Sequence, residues 1–180
     1  MSEPSDHQLV VDTRHGDDEA YGELVRRYQT SVYNVCLRLL GERRDAEDLM
    51  QEAFLRAYRR LNSYDEQRPF GPWIRRVAAN LCYNHFNKKR PVSFELDDEF
   101  EIAENKPGQN PEKAQLMVET KNDVHAALLD LPPPYRAVIE LRHFQDLSYK
   151  EIARTLQIPI SDVKSHLFRG RKLLAERLQP

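Results

Sequence analysis

Residues 147–171 have the pattern of two short helices joined by a tight turn, and this pattern constrains the fold more than any other. Ser148 and Glu151 have the spacing of a capping box, which predicts the start of the first helix. Residues 157–159 predict its end, because proline cannot continue a helix. The second helix has apolar residues at helical spacing, Val163, Leu167 and Leu174. The segment therefore predicts a helix-turn-helix, whose second helix fits the major groove of DNA.

The second of these helices also carries a polar and cationic face. It contains Ser161, Asp162, Lys164, Ser165, His166, Arg169 and Lys172. Lysine and arginine at such positions hold phosphates or guanine edges, and the first turns of the helix enter the groove. We predict that these residues bind duplex DNA. The alternative is an ordinary helical bundle, in which the same face is merely solvated.

The charges are distributed unevenly along the chain. The net charge of −2 argues against a nucleic-acid partner, yet all charged residues of 68–90 are basic, and bases predominate in 164–177. Between them, residues 91–112 contain seven acids and one lysine. Because the Debye length is roughly 8 Å, each basic region acts locally. The near-neutral sum therefore does not exclude two DNA-binding surfaces.

Apolar residues recur at intervals of three and four through most of the chain, and strand patterns are nearly absent. We predict an all-α protein of two helical modules. Residues 91–112 lack this periodicity and contain several prolines, which predicts an acidic, flexible linker. In the first module, Gly41 would end one helix and Asp45 would cap the next, whose apolar stripe runs to Tyr58 and beyond.

Several classes of protein are excluded. The N-terminus is polar and no apolar run approaches the roughly 20 residues that cross a bilayer, so we expect a cytoplasmic protein without membrane insertion. Cys36 and Cys82 are isolated in apolar helical patterns, which predicts buried, reduced thiols. The histidines lack ligand spacing, and no glycine-rich phosphate loop or catalytic constellation is present. We expect no metal, no cofactor and no enzymatic activity.

Two further helical faces carry polar residues. The second helix of the first module places Asp48, Gln51, Glu52 and Leu55 opposite its apolar stripe. Leu55 is either an ordinary exposed leucine or the apolar centre of a surface that docks a basic partner helix. The third helix presents Trp73, Arg76, Asn80, Tyr83, Asn84 and Asn87, followed by a basic run that starts at Lys88. Aromatic rings stack on bases, amides bond base edges and cations hold phosphates, so this combination predicts a surface for melted DNA. The alternative is that Trp73 belongs to the core.

Four segments, taken in order, resemble the extracytoplasmic-function (ECF) sigma factors of bacterial RNA polymerase. Residues 45–58 are similar to that family's D-A-E-D-x-x-Q-E-x-F helix, and residues 70–80 to its F-x-x-W-L-x-x-I-A-x-N segment. Residues 131–142 and 147–153 are similar to its second domain. The resemblance covers essentially the whole chain. It implies a promoter-specificity subunit that binds core RNA polymerase and recognises and melts promoter DNA.

The resemblance also assigns roles. It implies that residues 1–90 dock on core polymerase through Asp48, Gln51, Glu52 and Leu55. The same domain would recognise and open the minus-ten element through Ser63, Arg68, Trp73, Arg76, Asn80, Tyr83, Asn84, Asn87 and Lys88. Residues 113–180 would read the minus-thirty-five element. The implied partners are core polymerase, promoter DNA as duplex and as melted non-template strand, and an anti-sigma factor.

Six positions depart from the family's pattern. Gln157 replaces the usual glycine of the turn, Ser161 and Asp162 replace Gly-Thr, and His166 replaces an arginine. Gly71-Pro72 before the tryptophan is also unusual. These departures concern promoter preference rather than fold. The competing interpretations are a DNA-binding regulator that uses only the helix-turn-helix, and an adaptor that binds proteins alone. A further hypothesis is autoinhibition, in which the acidic linker lies against the basic face of either domain in the free protein, so that deletion of residues 95–101 would raise DNA affinity.

Overall fold

The computed structural model describes residues 3–89 and 117–179, so the predicted linker over 91–112 lies outside the described residues. Within them the chain is all-α, as predicted. The helices are α1 Asp6–Arg14, α2 Asp18–Leu40, α3 Arg43–Arg60, α4 Phe70–Lys89, α5 Met117–Leu129, α6 Pro133–Ile139, α7 Tyr149–Leu156 and α8 Ile160–Arg177. A 3-10 turn, Leu61–Ser63, follows α3, and a π-helical segment, Glu140–Phe144, continues α6. In the part of the chain described, no helix is long and apolar enough to cross a membrane.

The chain divides into two compact units, Met1–His85 and Phe86–Pro180. In the first, α2 packs against both α1 and α3. Helix α3 packs against α2, and its alanines Ala46, Ala53 and Ala57 are fully buried. Side chains as small as these let helix backbones approach closely. Both cysteines are free and buried, as predicted.

The ends of α2 and α3 follow local sequence signals. Asp17 caps α2 by accepting two backbone N–H bonds of the first turn, and Gly41 ends it in the left-handed conformation with φ of 76°. The prediction that Asp45 caps α3 is wrong. Glu42 occupies the cap position and accepts a bond from the backbone N–H of Arg44, because the left-handed turn at Gly41 lets the new helix start at once.

Gly71 allows a close contact between α4 and α2. An ideal Cβ at this position would lie 2.6 Å from Cε1 of Tyr28. The Tyr28 ring also packs against Phe70, with centroids 5.5 Å apart, and its hydroxyl donates to Asp6. The ring is therefore held on two sides and cannot easily move away. This contact gives a structural reason for the unusual glycine before Trp73.

We expect Gly71→Ala to lower the free energy of unfolding by about 1–3 kcal/mol, because the added methyl group overpacks the Tyr28 contact. The matched control is Gly22→Ala in α2, where the new Cβ would meet only Nη1 of Arg26 at 3.6 Å. That change should stabilise by about 0.5–1 kcal/mol, the ordinary gain of alanine over glycine in a helix. Chemical denaturation followed by the fluorescence of the single tryptophan measures both. Equal stabilisation by the two alanines would contradict the packing argument.

In the second unit, α6 and α7 pack against α8 and form the predicted helix-turn-helix core. The capping box is present: Ser148 Oγ accepts from the Glu151 N–H at 3.3 Å, and the Glu151 carboxylate accepts from the Ser148 N–H at 2.9 Å. Helix α7 ends at Gln157 in the left-handed conformation, with φ of 57°. Gln157 thus adopts the backbone geometry for which glycine is favoured.

Candidate nucleic-acid and protein-binding surfaces

Helix α3 exposes an apolar side chain within a polar stripe. The docking stripe consists of Asp48, Gln51, Glu52 and Leu55, opposite the buried alanines. Leu55 is 52% exposed, the highest value among the large apolar side chains described. Glu52 forms an ion pair with Arg56 on the same helix, at 2.7 Å, and this hydrogen bond lowers the pKa of Glu52. The stripe therefore offers a leucine flanked by ionised and amide groups.

Tyr58 does not belong to the apolar stripe as predicted. It is 44% exposed, and its hydroxyl donates to Asp18 at 2.8 Å. Its ring meets Tyr21 edge to face, with centroids 4.9 Å apart, and the Tyr21 hydroxyl donates to the carbonyl of Phe54. The contacts of the two tyrosines connect α3 to the start of α2. They therefore hold the docking stripe in a fixed orientation relative to the core of the first unit.

An aromatic cluster of Tyr28, Tyr64, Phe70 and Trp73 lies at the start of α4. Trp73 contacts Tyr64 and Phe70, with centroid distances of 4.6 Å and 5.6 Å. Tyr64 and Phe70 are buried, whereas Trp73 is half-buried. The indole is therefore supported from inside the unit and still reaches solvent. It combines the two roles that the sequence left as alternatives, since part of the ring packs on the core and part is accessible.

The face of α4 that follows Trp73 carries polar side chains. Arg76 and Asn80 are half-buried, and Asn84 and Lys88 are exposed, as is Asn87. Asn84 Nδ2 lies 3.5 Å from Asn80 Oδ1, at the limit of a hydrogen bond. These residues recur at intervals of three and four from Trp73, so they share one face.

Tyr83 departs from the prediction that it faces the nucleic acid. It is only 7% exposed. It lies one helical turn after Ala79 and next to Cys82, both fully buried, and this position turns its side chain toward the interior. We therefore remove Tyr83 from the predicted DNA-binding residues.

The segment between α3 and α4 contains two predicted DNA-binding residues, Ser63 and Arg68. Its internal contacts leave both side chains at the surface. Ser63 Oγ donates to the carbonyl of Arg60 at 2.8 Å, and Ser63 remains exposed. Arg68 is also exposed, with its guanidinium 3.4 Å from the Asp65 carboxylate. The Tyr64 hydroxyl donates to the carbonyl of Arg68 and closes the segment on itself.

Arg14 connects α1 to this segment, and no sequence pattern pointed to it. Its guanidinium donates to the carbonyls of Leu61 and Tyr64, at 2.9 Å and 2.6 Å. It also forms an ion pair with Glu66 at 2.9 Å. These partners lie 47 to 52 residues away in the sequence. A contact over such a separation leaves no local periodicity by which it could be predicted.

Helix α8 presents an exposed ridge of Lys164, Phe168 and Lys172, spaced four residues apart. Phe168 is 40% exposed, and it is not among the predicted DNA-binding residues. The signal was available, because Phe168 lies between the two predicted lysines on one helical face. An apolar side chain on such a face can contact the methyl group of thymine. Ser161 is also exposed, and Asp162, Ser165 and Arg169 are partly exposed.

His166 lies on a different side of α8 from this ridge. Its ring packs against Tyr135 of α6, with centroids 5.3 Å apart, and it is half-buried. Burial lowers the pKa of His166, and the nearby Arg169 lowers it further against the opposing effect of Asp162. The imidazole is therefore neutral at neutral pH. It does not replace the cation that the family usually places here.

Comparisons with known proteins agree with this architecture. The family model of Sigma-70 region 2 matches residues 24–92, and that of Sigma-70 region 4 matches residues 121–174. The ECF RNA polymerase sigma factor SigW of Bacillus subtilis is 36% identical over 94% of this chain and 95% of its own length. The RNA polymerase sigma-H factor of Pseudomonas aeruginosa is 34% identical over 100% of this chain and 97% of its own.

A solved structure shares the fold at lower identity. It is the sigma factor RpoE of Bartonella quintana in complex with the anti-sigma factor NepR, with a TM-score of 0.59 and 21% identity over 88% of this chain and 96% of that one. The fold similarity extends over both units. Since two family models and near full-length relatives agree, the chain belongs to the ECF sigma factors, the non-enzymatic subunits that direct promoter-specific transcription initiation by RNA polymerase.

Proposed function

We propose that the two domains divide promoter recognition. Residues 1–90 dock on core polymerase through the docking stripe of α3 and open the minus-ten element at α4, and residues 113–180 read the minus-thirty-five element through α8. Both steps take place where the polymerase and the chromosome are, in the cytoplasm. The observation that carries the proposal is the half-buried Trp73, supported by Tyr64 and Phe70 and followed by amides along one face.

The opening step follows from the chemistry of this face. An extruded base loses its stacking partners, at a cost of a few kcal/mol. The accessible part of the Trp73 ring can replace one of them, because every base has a π-face that stacks on an aromatic side chain. Asn80 and Asn84 supply hydrogen bonds to base edges, and Lys88 supplies a charge for a phosphate. Together these groups favour the unpaired strand over the duplex.

Duplex recognition is proposed for the exposed ridge of α8. Lys164 and Lys172 are exposed cations for phosphates or guanine edges, and Phe168 between them suits a thymine methyl group. The side chain of His166 packs on Tyr135, so we assign it to the support of α8 rather than to base contact.

We also propose an anti-sigma factor as a regulatory partner. Support comes from the fold shared with RpoE, which was solved with such a partner. The hypothesis that the acidic linker, residues 91–112, inhibits the free protein concerns a segment outside the described residues, and its basis is the acidic sequence alone.

Opening of the promoter tests the proposal. A promoter is first selected from a randomised duplex library with the polymerase holoenzyme, and unpaired thymines are then detected by permanganate. Trp73→Ala should reduce opening by about 5- to 150-fold, the equivalent of about 1–3 kcal/mol for one stacked base. Asn80→Ala should reduce it less, and binding to core polymerase should not change.

The matched control is Phe144→Ala, which removes an aromatic ring that is 44% exposed and lies outside every proposed surface. Wild-type opening by both the Trp73 and Asn80 variants, in folded protein, would refute the assignment of this face to melted DNA.

A further inference from the structure

We infer that Arg14 is a positioning residue for promoter opening: it fixes the segment that supports Trp73. The inference rests on the function proposed above for Trp73. Helix α1 contacts the turn Leu61–Ser63 at the start of this segment. A single side chain supplies several polar bonds between them, since the Arg14 guanidinium reaches Leu61, Tyr64 and Glu66.

The geometry of this contact is specific to arginine. Nη2 donates to two backbone carbonyls, and Nη1 binds the Glu66 carboxylate at 2.9 Å. The planar guanidinium holds its donors in a fixed fork, so the three acceptors are held at fixed relative positions. A lysine offers one nitrogen on a flexible stem and cannot reproduce this arrangement. The Arg14 side chain is 23% exposed, which limits competition from water.

The position of Tyr64 links this contact to the site. Arg14 binds the backbone carbonyl of Tyr64, and the Tyr64 ring packs 4.6 Å from the Trp73 ring. The same ring meets Phe70 edge to face, at 5.9 Å. A shift of the Tyr64 backbone would therefore change the surface on which the indole rests. The polar bonds of Arg14 run to this segment, so its effect would reach Trp73 through Tyr64.

A second contact fixes α1 itself. The Asp6 carboxylate pairs with Arg27 of α2 at 3.0 Å and accepts a hydrogen bond from the Tyr28 hydroxyl. Burial and the bond to Asp6 raise the pKa of Tyr28 to about 12, so the phenol stays a donor. The Tyr28 ring packs on Phe70. Helix α1 is thus bound to the aromatic cluster from both of its ends, through Asp6 and Arg14.

The test uses the full-length protein with core polymerase and the selected promoter. Arg14→Ala should lower promoter opening about tenfold, through loss of the charged hydrogen bonds that hold the segment. It should leave core polymerase affinity unchanged. Arg14→Lys should restore only part of the loss. Glu66→Gln should stay near wild type, because the amide oxygen still accepts from the guanidinium.

Two measurements separate positioning from a contribution to stability alone. The first is quenching of the single tryptophan by acrylamide in the folded protein, which Arg14→Ala should increase. The second is base preference at the extruded position, which the variant should weaken. The matched control is Arg26→Ala, which removes an exposed arginine whose ion pair, with Glu23, lies within α2. It should change neither measurement.

The outcomes distinguish this inference from the proposed function. If Trp73→Ala abolishes opening while Arg14→Ala preserves opening, quenching and base preference, the inference is wrong and the function of Trp73 stands. If Trp73→Ala itself opens promoters normally, the proposed function fails. If Arg14→Ala does not fold, Arg14→Lys provides the test. Wild-type promoter opening and base preference in the lysine variant would show that the guanidinium of Arg14 is not required.

Discussion

Leu55→Asp is expected to reduce the affinity for core polymerase at least about 30-fold, equivalent to about 2 kcal/mol, the typical loss at a binding hot spot. The side chain is 52% exposed, so the change removes little from the core and the fold should remain intact. An apolar side chain at the centre of an interface gains most from exclusion of water. Aspartate there would leave a buried charge beside the acidic groups of the docking stripe.

The structure supplies a matched control for charge. Asn34→Asp adds the same single negative charge at an exposed position of α2, away from the stripe. It should bind core polymerase as the wild type does. Fluorescence anisotropy of labelled protein titrated with core polymerase, without DNA, gives both affinities. Equal affinities for the wild type and the Leu55 variant would show that the stripe is not the docking surface.

Glu52 gives an independent test of the same surface. It is ionised and paired with Arg56, so Glu52→Arg both reverses the charge and places two cations one turn apart. A basic partner helix would be repelled, and the effect should weaken as salt screens it. The effect at Leu55 is apolar and should persist at high salt. A loss of affinity that salt weakens for the Glu52 variant, and one that salt leaves unchanged for the Leu55 variant, would therefore separate electrostatic steering from apolar burial.

Local sequence signals predicted the elements whose causes are local. Gly41 and the Ser148–Glu151 capping box act within one helical turn, and both are present in the structure. Two predictions, the Asp45 cap and the exposed Tyr83, were wrong because the local signal allows more than one outcome. Glu42 displaced Asp45 as a cap because either acid can accept an N–H bond, and the sequence does not say where the helix starts. Tyr83 has a polar tip and an apolar ring, so its type does not determine its side of α4.

Most contacts that support the proposed binding surfaces could not be predicted from the sequence. Arg14 meets a segment some fifty residues away, and His166 meets Tyr135 of another helix. Each contact depends on how helices pack, and helix packing is not encoded in a periodicity. The sequence therefore predicted which helical faces present polar and charged side chains, since those faces have the spacing of a helix. The residues that hold the faces in place became visible only in the structure.

Arg136 is such a supporting residue, and it carries the largest stability effect that we predict. It is 8% exposed, and one of its guanidinium nitrogens donates to the carbonyls of Leu129 and Leu131, at 2.6 Å and 2.9 Å. It thereby binds the end of α5 to α6 across the proline turn. Burial lowers the pKa of Arg136, against the opposing effect of Asp130, so the two carbonyls help to stabilise a buried charge.

Arg136→Ala should therefore lower the free energy of unfolding of the second unit by about 2–4 kcal/mol, because two carbonyls lose their donor and a buried volume is left unfilled. Far-UV circular dichroism should show earlier loss of helix in denaturant. Fluorescence of Trp73, which belongs to the first unit, should report an unchanged transition. The control is Arg177→Ala, whose partner Asp130 is exposed and whose loss should cost less than about 1 kcal/mol.

Unfolding of the second unit in the Arg136 variant should remove one function and leave the others. At a denaturant concentration where Arg136→Ala has lost its second unit, binding to minus-thirty-five duplex should disappear. Binding to core polymerase through the α3 stripe and stacking of an unpaired base on Trp73 should remain, because neither uses α8. If the Arg136 variant unfolds no earlier than the Arg177 variant, the Arg136 guanidinium is not what joins α5 to α6.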